Sequence, residues 1–438
     1  ELDEDIAEIE SQLPSADNTP VQKGKSKQQP KRKPLPKNLP REEKHYDISE
    51  SKCSCGGELH KIGEETYEQL EYRPASFYVR KNIRSKYGCR NCETITTANA
   101  PSQPIDKGLA GAGLLAHVLV SKYADHLPLY RQTQIYKRHD IDIPSSTLAD
   151  WVGRCGALLK PLMEPLKKDI LKESKVHTDD TVVPVLERGN DKGKTRQGRL
   201  WCYVRSGLSD PPAVIYDYTP TRSQQGPQRF LQYYEGYLQA DGYPGYDAIY
   251  KKGIIFEVGC WAHARRKFFE LEKSTPLARQ AVLWIKKLYI IEQEIESLND
   301  DGKKEIRQKR AIPILKEFKQ WLDETLLKLS QKSKLALAIC YVTKNWDAMT
   351  RYTQEGYLSI DNNAAERSMR NIVLGRKNYL FAGSDQAAER AAVIYSLIET
   401  CKLNKIDPFA YLEDVLRQLP DHPNSKITEL LPYNWKQS

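Results

Sequence analysis

The sequence predicts an α/β core that is split by a helical insertion and preceded by two smaller modules. Three observations carry this. β-rich runs crowd between Lys175 and Ala262, separated by Gly, Pro and Asp turns. Helical periodicity flanks them on both sides. Four of the nine cysteines gather upstream in two clusters, and the rest are scattered singly.

Composition narrows the classes. The 438 residues allow about two to four domains. No apolar run approaches the ~18 residues of a membrane span, and no signal peptide is visible. Residue 1 is Glu, which leaves open a segment ahead of it. The formal charge of +9 is concentrated between Lys23 and Lys44, which points to nucleic acid or to a solvated linker. Scattered cysteines speak against a disulfide framework and for a reducing compartment with one possible metal site.

The modules follow in order. In residues 1–13, Leu2, Ile6, Ile9 and Leu13 keep coiled-coil a/d spacing, or else mark a short amphipathic helix. Residues 14–44 are Pro-, Lys- and Gln-rich and read as a flexible basic linker. Residues 45–100 read as a ribbon, with Cys53 and Cys55 in KCSCGGEL and Cys89 and Cys92 in YGCRNCE offering four thiolates for zinc. His60 is a further donor.

Residues 105–172 are helical. Leu114, Leu115, Val118, Leu119 and Tyr123 mark one helix, and Leu129, Ile135 and Tyr136 a second. Ser145 or Ser146 can cap a third, which carries Leu148, Trp151, Val152 and Cys155. The turn HDIDIP between the last two gives a helix-turn-helix-like pattern, with a plain helical connector as the alternative. Residues 173–267 hold the strands. Residues 268–351 form the insertion, with Leu283, Leu288, Ile291, Ile295 and Leu298 on one expected stripe. Residues 352–398 complete the core. Residues 399–438 form a C-terminal helical segment that includes a helix begun by Asp407-Pro408.

Chemistry concentrates at three carboxylates. Asp179, beside Asp180, interrupts a strand interior. Asp241 ends a later strand before a glycine. Glu366 falls in the first turn of a helix. Carboxylates so placed can meet at one sheet edge and hold two Mg²⁺ ions. Singly, each has a plainer role. Asp179 or Asp180 can cap a turn, Asp241-Gly242 can be a turn, and Asn363 with Glu366 can be a capping box. Cys260 and His263 are too few for a tetrahedral zinc site. Arg265, Arg266 and Lys267 suit a DNA phosphate or a solvated face. Arg367 and Arg370 lie beside Glu366, and Arg376 and Lys377 follow an expected bend.

HTDDT, LQADGY, GCWAHARRKF and DNNAAERSMR, in this order, resemble the transposases of insertion-sequence family 66, as do KYADHLPLYRQ and STLADWV. The resemblance runs from near Cys53 to the C-terminus. It implies a DDE transposase with an RNase H-like core, with Asp179, Asp241 and Glu366 as catalytic ligands of two Mg²⁺ (or Mn²⁺) ions. Asp180 stands where the family usually has Glu. The first cysteine knuckle is one residue shorter than the family's. Cys260 and His263, with Asp361 and Asn363, are implied as supporting residues. The implied activity is binding of terminal inverted repeats, hydrolysis at the element's ends and joining of the 3′-OH ends to target DNA. Double-stranded DNA, a homodimer or larger assembly, and small accessory proteins of the same element are the implied partners. A cleavage-silent DNA-binding regulator, or a nuclease without strand transfer, remains as the alternative.

Overall fold

The computed structural model describes residues 77–78, 86–88, 95–97, 102–106, 108–187, 194–206 and 210–436. The expected heptads, the basic linker and Cys53, Cys55, Cys89 and Cys92 lie outside them. Two compact units divide at Ala100 and Pro101. In the first, strands β1 (Lys86–Gly88) and β2 (Ile95–Thr97) pair antiparallel.

The second unit opens with helices α1 (Ala112–Tyr123), α2 (Leu129–Lys137), α3 (Ser145–Leu159) and α4 (Met163–Ile170). Leu115, Val118, Leu119 and Tyr123 bury one face of α1, as expected from their spacing. Helix α3 does not use a serine cap. Its N-cap is Pro144, and Ser145 is already its first residue. The turn before it is closed by Asp140 at φ +58, a conformation that Asp tolerates better than most residues.

Five strands follow. They are β3 (Lys175–Leu186), β4 (Thr195–Arg205), β5 (Ala213–Thr219), β6 (Gly236–Gln239) and β7 (Ile255–Val258). Helix α5 (Gln225–Phe230) precedes β6, and α6 (Asp247–Tyr250) precedes β7. The sheet order is β5-β4-β3-β6-β7. β3, β4 and β5 form an antiparallel meander, while β6 and β7 run parallel to β3. β3 is therefore central. It tolerates Pro184 because β6 pairs only with residues 175–177. Beyond that, Ala382 bridges to Val185, donating to the Pro184 carbonyl and accepting from the Leu186 N–H.

After α7 (Trp261–Phe269) comes the insertion, with α8 (Pro276–Glu294), α9 (Asp300–Ile306), α10 (Ile312–Leu326), α11 (Lys334–Lys344) and α12 (Trp346–Thr350). It has its own core, in which Trp261, Phe268, Leu288, Phe318 and Ile339 are fully buried. The expected stripe is corrected in part. Leu288, Ile291 and Ile295 are buried, but Leu283 is 53% and Leu298 41% exposed. Ala281 and Ile285 complete the buried face instead.

The chain returns through α13 (Asn363–Tyr379), α14 (Asp385–Leu403) and α15 (Pro408–Gln418). Helix α13 runs unbroken through Arg376 and Lys377, so the expected bend is absent. Asp407 caps α15 by accepting from the Phe409 N–H, with Pro408 at the first position. Helix α14 seals the edge strand. The Ser396 hydroxyl accepts from Tyr216 N–H, and the Thr400 hydroxyl bonds both N–H and C=O of Val214. Two hydroxyls one turn apart thus satisfy an edge that would otherwise invite pairing.

Candidate active site

Side chains alternate along β3, so Asp179 and Asp180 face opposite ways. Asp180 is held between two guanidinium groups, Arg199 at 3.0 Å and Arg222 at 2.8 Å. Its charge is balanced there. Asp179 has no such partner. Its Oδ1 accepts from the Asp180 N–H at 2.7 Å. Burial pushes its carboxyl well up, and the charges of Asp241, Glu366 and Asp180 push further in that order. Carboxylates whose charges push Asp179 up lie close around it.

Asp241 lies two residues past the end of β6, the strand that pairs with β3. Gly242 at φ +77 makes the following turn, a conformation that favours glycine. Asp241 does take part in that turn, accepting from Tyr243 N–H at 3.1 Å. Its backbone oxygen accepts from the Tyr341 hydroxyl of α11 at 2.7 Å.

Glu366 is buried on the first turn of α13. The capping-box reading fails for a geometric reason. The helix starts at Asn363 itself, and it is Asp361 that accepts from the Asn363 N–H and side chain. Glu366 is thereby left to the cluster. Its Oε1 faces His263 Nδ1 at 3.4 Å, and both atoms are buried without a hydrogen bond. Arg266 approaches Oε2 at 3.9 Å. Burial pushes the His263 imidazole down against the pull of Glu366.

Asn362, absent from the sequence expectations, ties these pieces together. Its N–H donates to Cys260 Sγ at 3.2 Å, and its amide nitrogen donates to the Thr178 carbonyl at 2.9 Å. His177 Nδ1 donates to its amide oxygen at 3.0 Å. Burial, then the charge of Lys175, pushes the His177 imidazole down to about 3, so it stays neutral. Cys260 thus acts as a hydrogen-bond acceptor beside the site, its thiol pushed well up by burial. Asp361 receives the Tyr289 hydroxyl of α8 at 3.1 Å. Asn362 has no sequence signature of its own, since its partners come from β3 and from the start of α7.

The expected basic residues divide. Arg266 lies at Glu366, Arg265 packs over Phe269, and Lys267 packs over Tyr341. Arg376 is drawn to β3, bonding Thr181 Oγ1 and the Val182 carbonyl. Arg367 and Lys377 are exposed, and Arg370 is partly so.

The donor set fits a divalent cation. Asp179, Asp241 and Glu366 supply hard oxygens, and the buried Glu366 Oε1 has no hydrogen-bond donor among the described residues. Among the described residues, Cys260, His263 and Glu366 are the group that offers donor atoms within 4.8 Å of one another.

Residues 107–390 match the family described as "Transposase IS66 family". The chain belongs to this family. Further matches are the "IS66 C-terminal element" at 396–433, the "zinc-finger binding domain of transposase IS66" at 50–93 and "Transposase C of IS166 homeodomain" at 1–43. The IS66-family chain is also similar to three proteins of Sinorhizobium fredii (strain NBRC 101917 / NGR234). "Uncharacterized protein y4hP" is 37% identical over 98% of this chain and 81% of its own length. "Uncharacterized protein y4jD" is 37% identical over 92% and 81%. "Uncharacterized protein y4qI" is 34% identical over 100% and 82%. Family membership supports a transposase role with DNA as partner, a divalent metal and zinc. Among the described residues, no helix is long and apolar enough to cross a membrane.

Proposed function

We propose that this IS66-family chain is a DDE transposase that cuts the ends of its insertion sequence and joins them to target DNA. The order β5-β4-β3-β6-β7, with a meander and two parallel strands, supports an RNase H-like core. The observation that carries the reading is that the charges of Asp241, just past β6, and Glu366, on α13, both push up the buried Asp179 carboxyl of β3.

Bound there by Asp179, Asp241 and Glu366, paired Mg²⁺ or Mn²⁺ ions would activate the nucleophile and stabilise the leaving oxygen of an in-line displacement. The protein's own part is placement. Asn362 locks the approach to α13 onto β3. Asp180 is paired with Arg199 and Arg222 on the other face of β3, which leaves Asp179 to the site. Arg266 and the exposed Arg367 offer phosphate contacts beside Glu366. In the first reaction water adds to phosphorus and the P–O3′ bond breaks, leaving a 3′-OH and a 5′-phosphate. In the second that 3′-OH attacks target phosphorus, displaces the target's 3′-oxygen and loses its proton. Both steps are the same displacement, so one set of carboxylates serves both.

Helices α2 and α3, with the zinc-finger segment, are assigned to recognition of the terminal inverted repeats. Pairing two ends calls for a dimer or larger assembly, aided by the N-terminal heptads and by small accessory proteins of the same element. The test is a strand-transfer assay on end DNA with Mg²⁺. Wild type should give joined products, while Asp241→Asn and Glu366→Gln should bind ends and lose joining by at least about a hundredfold. Binding without cutting by wild type favours a regulator, and cutting without joining favours a nuclease.

A further inference from the structure

The proposed chemistry leaves a nearby cavity unused. It encloses about 290 Å³. One wall is Val183 of β3, which shares the face of Asp179 because four residues, ~13 Å of strand, separate them. Helices α1, α3, α13 and α14 supply Lys122, Ala149, Tyr379 and Arg390. Phe381, just past α13, also lines it and is 43% exposed.

Two cations line this space and no carboxylate does. The Lys122 ammonium lies 4.8 Å from the centre of the Tyr379 ring and 5.2 Å from that of Tyr123. Burial alone pushes it down to about 8, with no acidic neighbour to hold it up. Arg390 bonds only the carbonyl and amide oxygens of Gln386 among the described residues. Helix α3 is notched to admit it. A Cβ at Gly153 would overlap its guanidinium, and one at Gly156 would stand 2.9 Å from its Cβ. Two positive groups beside an aromatic-lined space, one of them over two rings and neither paired with a carboxylate among the described residues, call for a ligand that is both anionic and planar.

We propose that this cavity takes one unpaired nucleotide of a bound DNA strand, its phosphate on Lys122 and Arg390 and its base against Tyr379 and Phe381. The proposal rests on the DNA-processing reading of the neighbouring carboxylates. Arginine and lysine suit a phosphate, and aromatic side chains suit a base taken out of its stack. A duplex cannot enter a space of this volume. The shared chemistry also fits a free mononucleotide, which the experiment separates.

Fluorescence anisotropy of the full chain without added Mg²⁺ or Mn²⁺ and without chelator, so that no strand is cut and zinc is kept, tests it. Labelled DNA of the element's end is offered as intact duplex and as duplex with a short single-stranded gap. Wild type should bind the gapped form about tenfold tighter, the effect of one stacked base. Lys122→Met, and Ala149→Trp from an exposed position on the cavity wall, should bring that ratio, taken within each variant, below about twofold. Circular dichroism checks that both variants fold. Equal affinity of wild type for the two DNAs overturns the proposal, as does a preference that survives in both variants. If thymidine monophosphate binds the free chain, Ala149→Trp abolishes that binding, and gapped and intact DNA bind alike, the ligand is a free nucleotide and the strand form is overturned. Failure to bind any DNA overturns the transposase reading as well, which distinguishes it from a lost preference alone.

Discussion

Asn362 makes hydrogen bonds to two separate segments, to Cys260 just before α7 and to Thr178 and His177 of β3. Replacing it with Ala leaves the Thr178 carbonyl and the His177 N–H buried and unpaired. Asn362→Ala should therefore cost about 3 kcal/mol in urea denaturation, from two such groups. Lys122 makes the opposite case. Its pKa is about 8 in the fold against 10.5 unfolded, so below pH 8 the charged amine opposes folding. Between these values the unfolded chain binds more protons, and stability rises with pH. Lys122→Met should stabilise the fold by up to about 3 kcal/mol at pH 7, and this advantage should shrink towards pH 10. Denaturant midpoints of the two proteins across that range give the answer. Asp179 stood out in the sequence because a carboxylate is unusual in a strand interior, while Asp241, in a common turn dipeptide, and Glu366, at a helix start, stood out only together and with the family's motifs. Asn362, Arg199 and Arg222 could not, because their partners become neighbours only once the strand register is set.

The strands were readable from their β-branched and aromatic runs, and the helices around them from apolar spacing. Helix ends were not. Ser145 and Asn363 look like caps, yet each is already inside its helix, after Pro144 and Asn362. The cause is local competition. Asp361 takes the Asn363 N–H, while the Asn362 side chain is drawn away to β3. Helix α3 offers a sharper test. Ala in place of Gly usually stabilises a helix by about 1 kcal/mol. At Gly153 the obstacle is the far end of Arg390, which can swing aside, so Gly153→Ala should be near neutral or stabilising. At Gly156 it is the Cβ and Cγ of Arg390, near the α14 backbone. Gly156→Ala should instead destabilise by about 1–3 kcal/mol as α3 and α14 are forced apart, measurable by thermal or urea unfolding.

Two cores stabilise the second unit, one around the sheet and one inside the insertion. The insertion reaches the carboxylates through two hydroxyls, Tyr341 to the Asp241 carbonyl and Tyr289 to Asp361. Tyr289→Phe combined with Tyr341→Phe should lower the strand-transfer rate about tenfold with little change in melting temperature, since each core stays filled. The sequence showed that helices fill residues 268–351. It could not show that two tyrosines on them point back at the site, because both spacings look like ordinary helix faces.

Helix α13 carries Glu366 at one end and Tyr379 at the other, thirteen residues on. At 1.5 Å per residue that is a rigid ruler of ~20 Å. With both proposed sites occupied, it would set how far along a DNA strand the cut falls from the place where that strand is gripped. One alanine inserted near Asn371 would turn the two ends by about 100° relative to each other and throw scissors and grip out of phase.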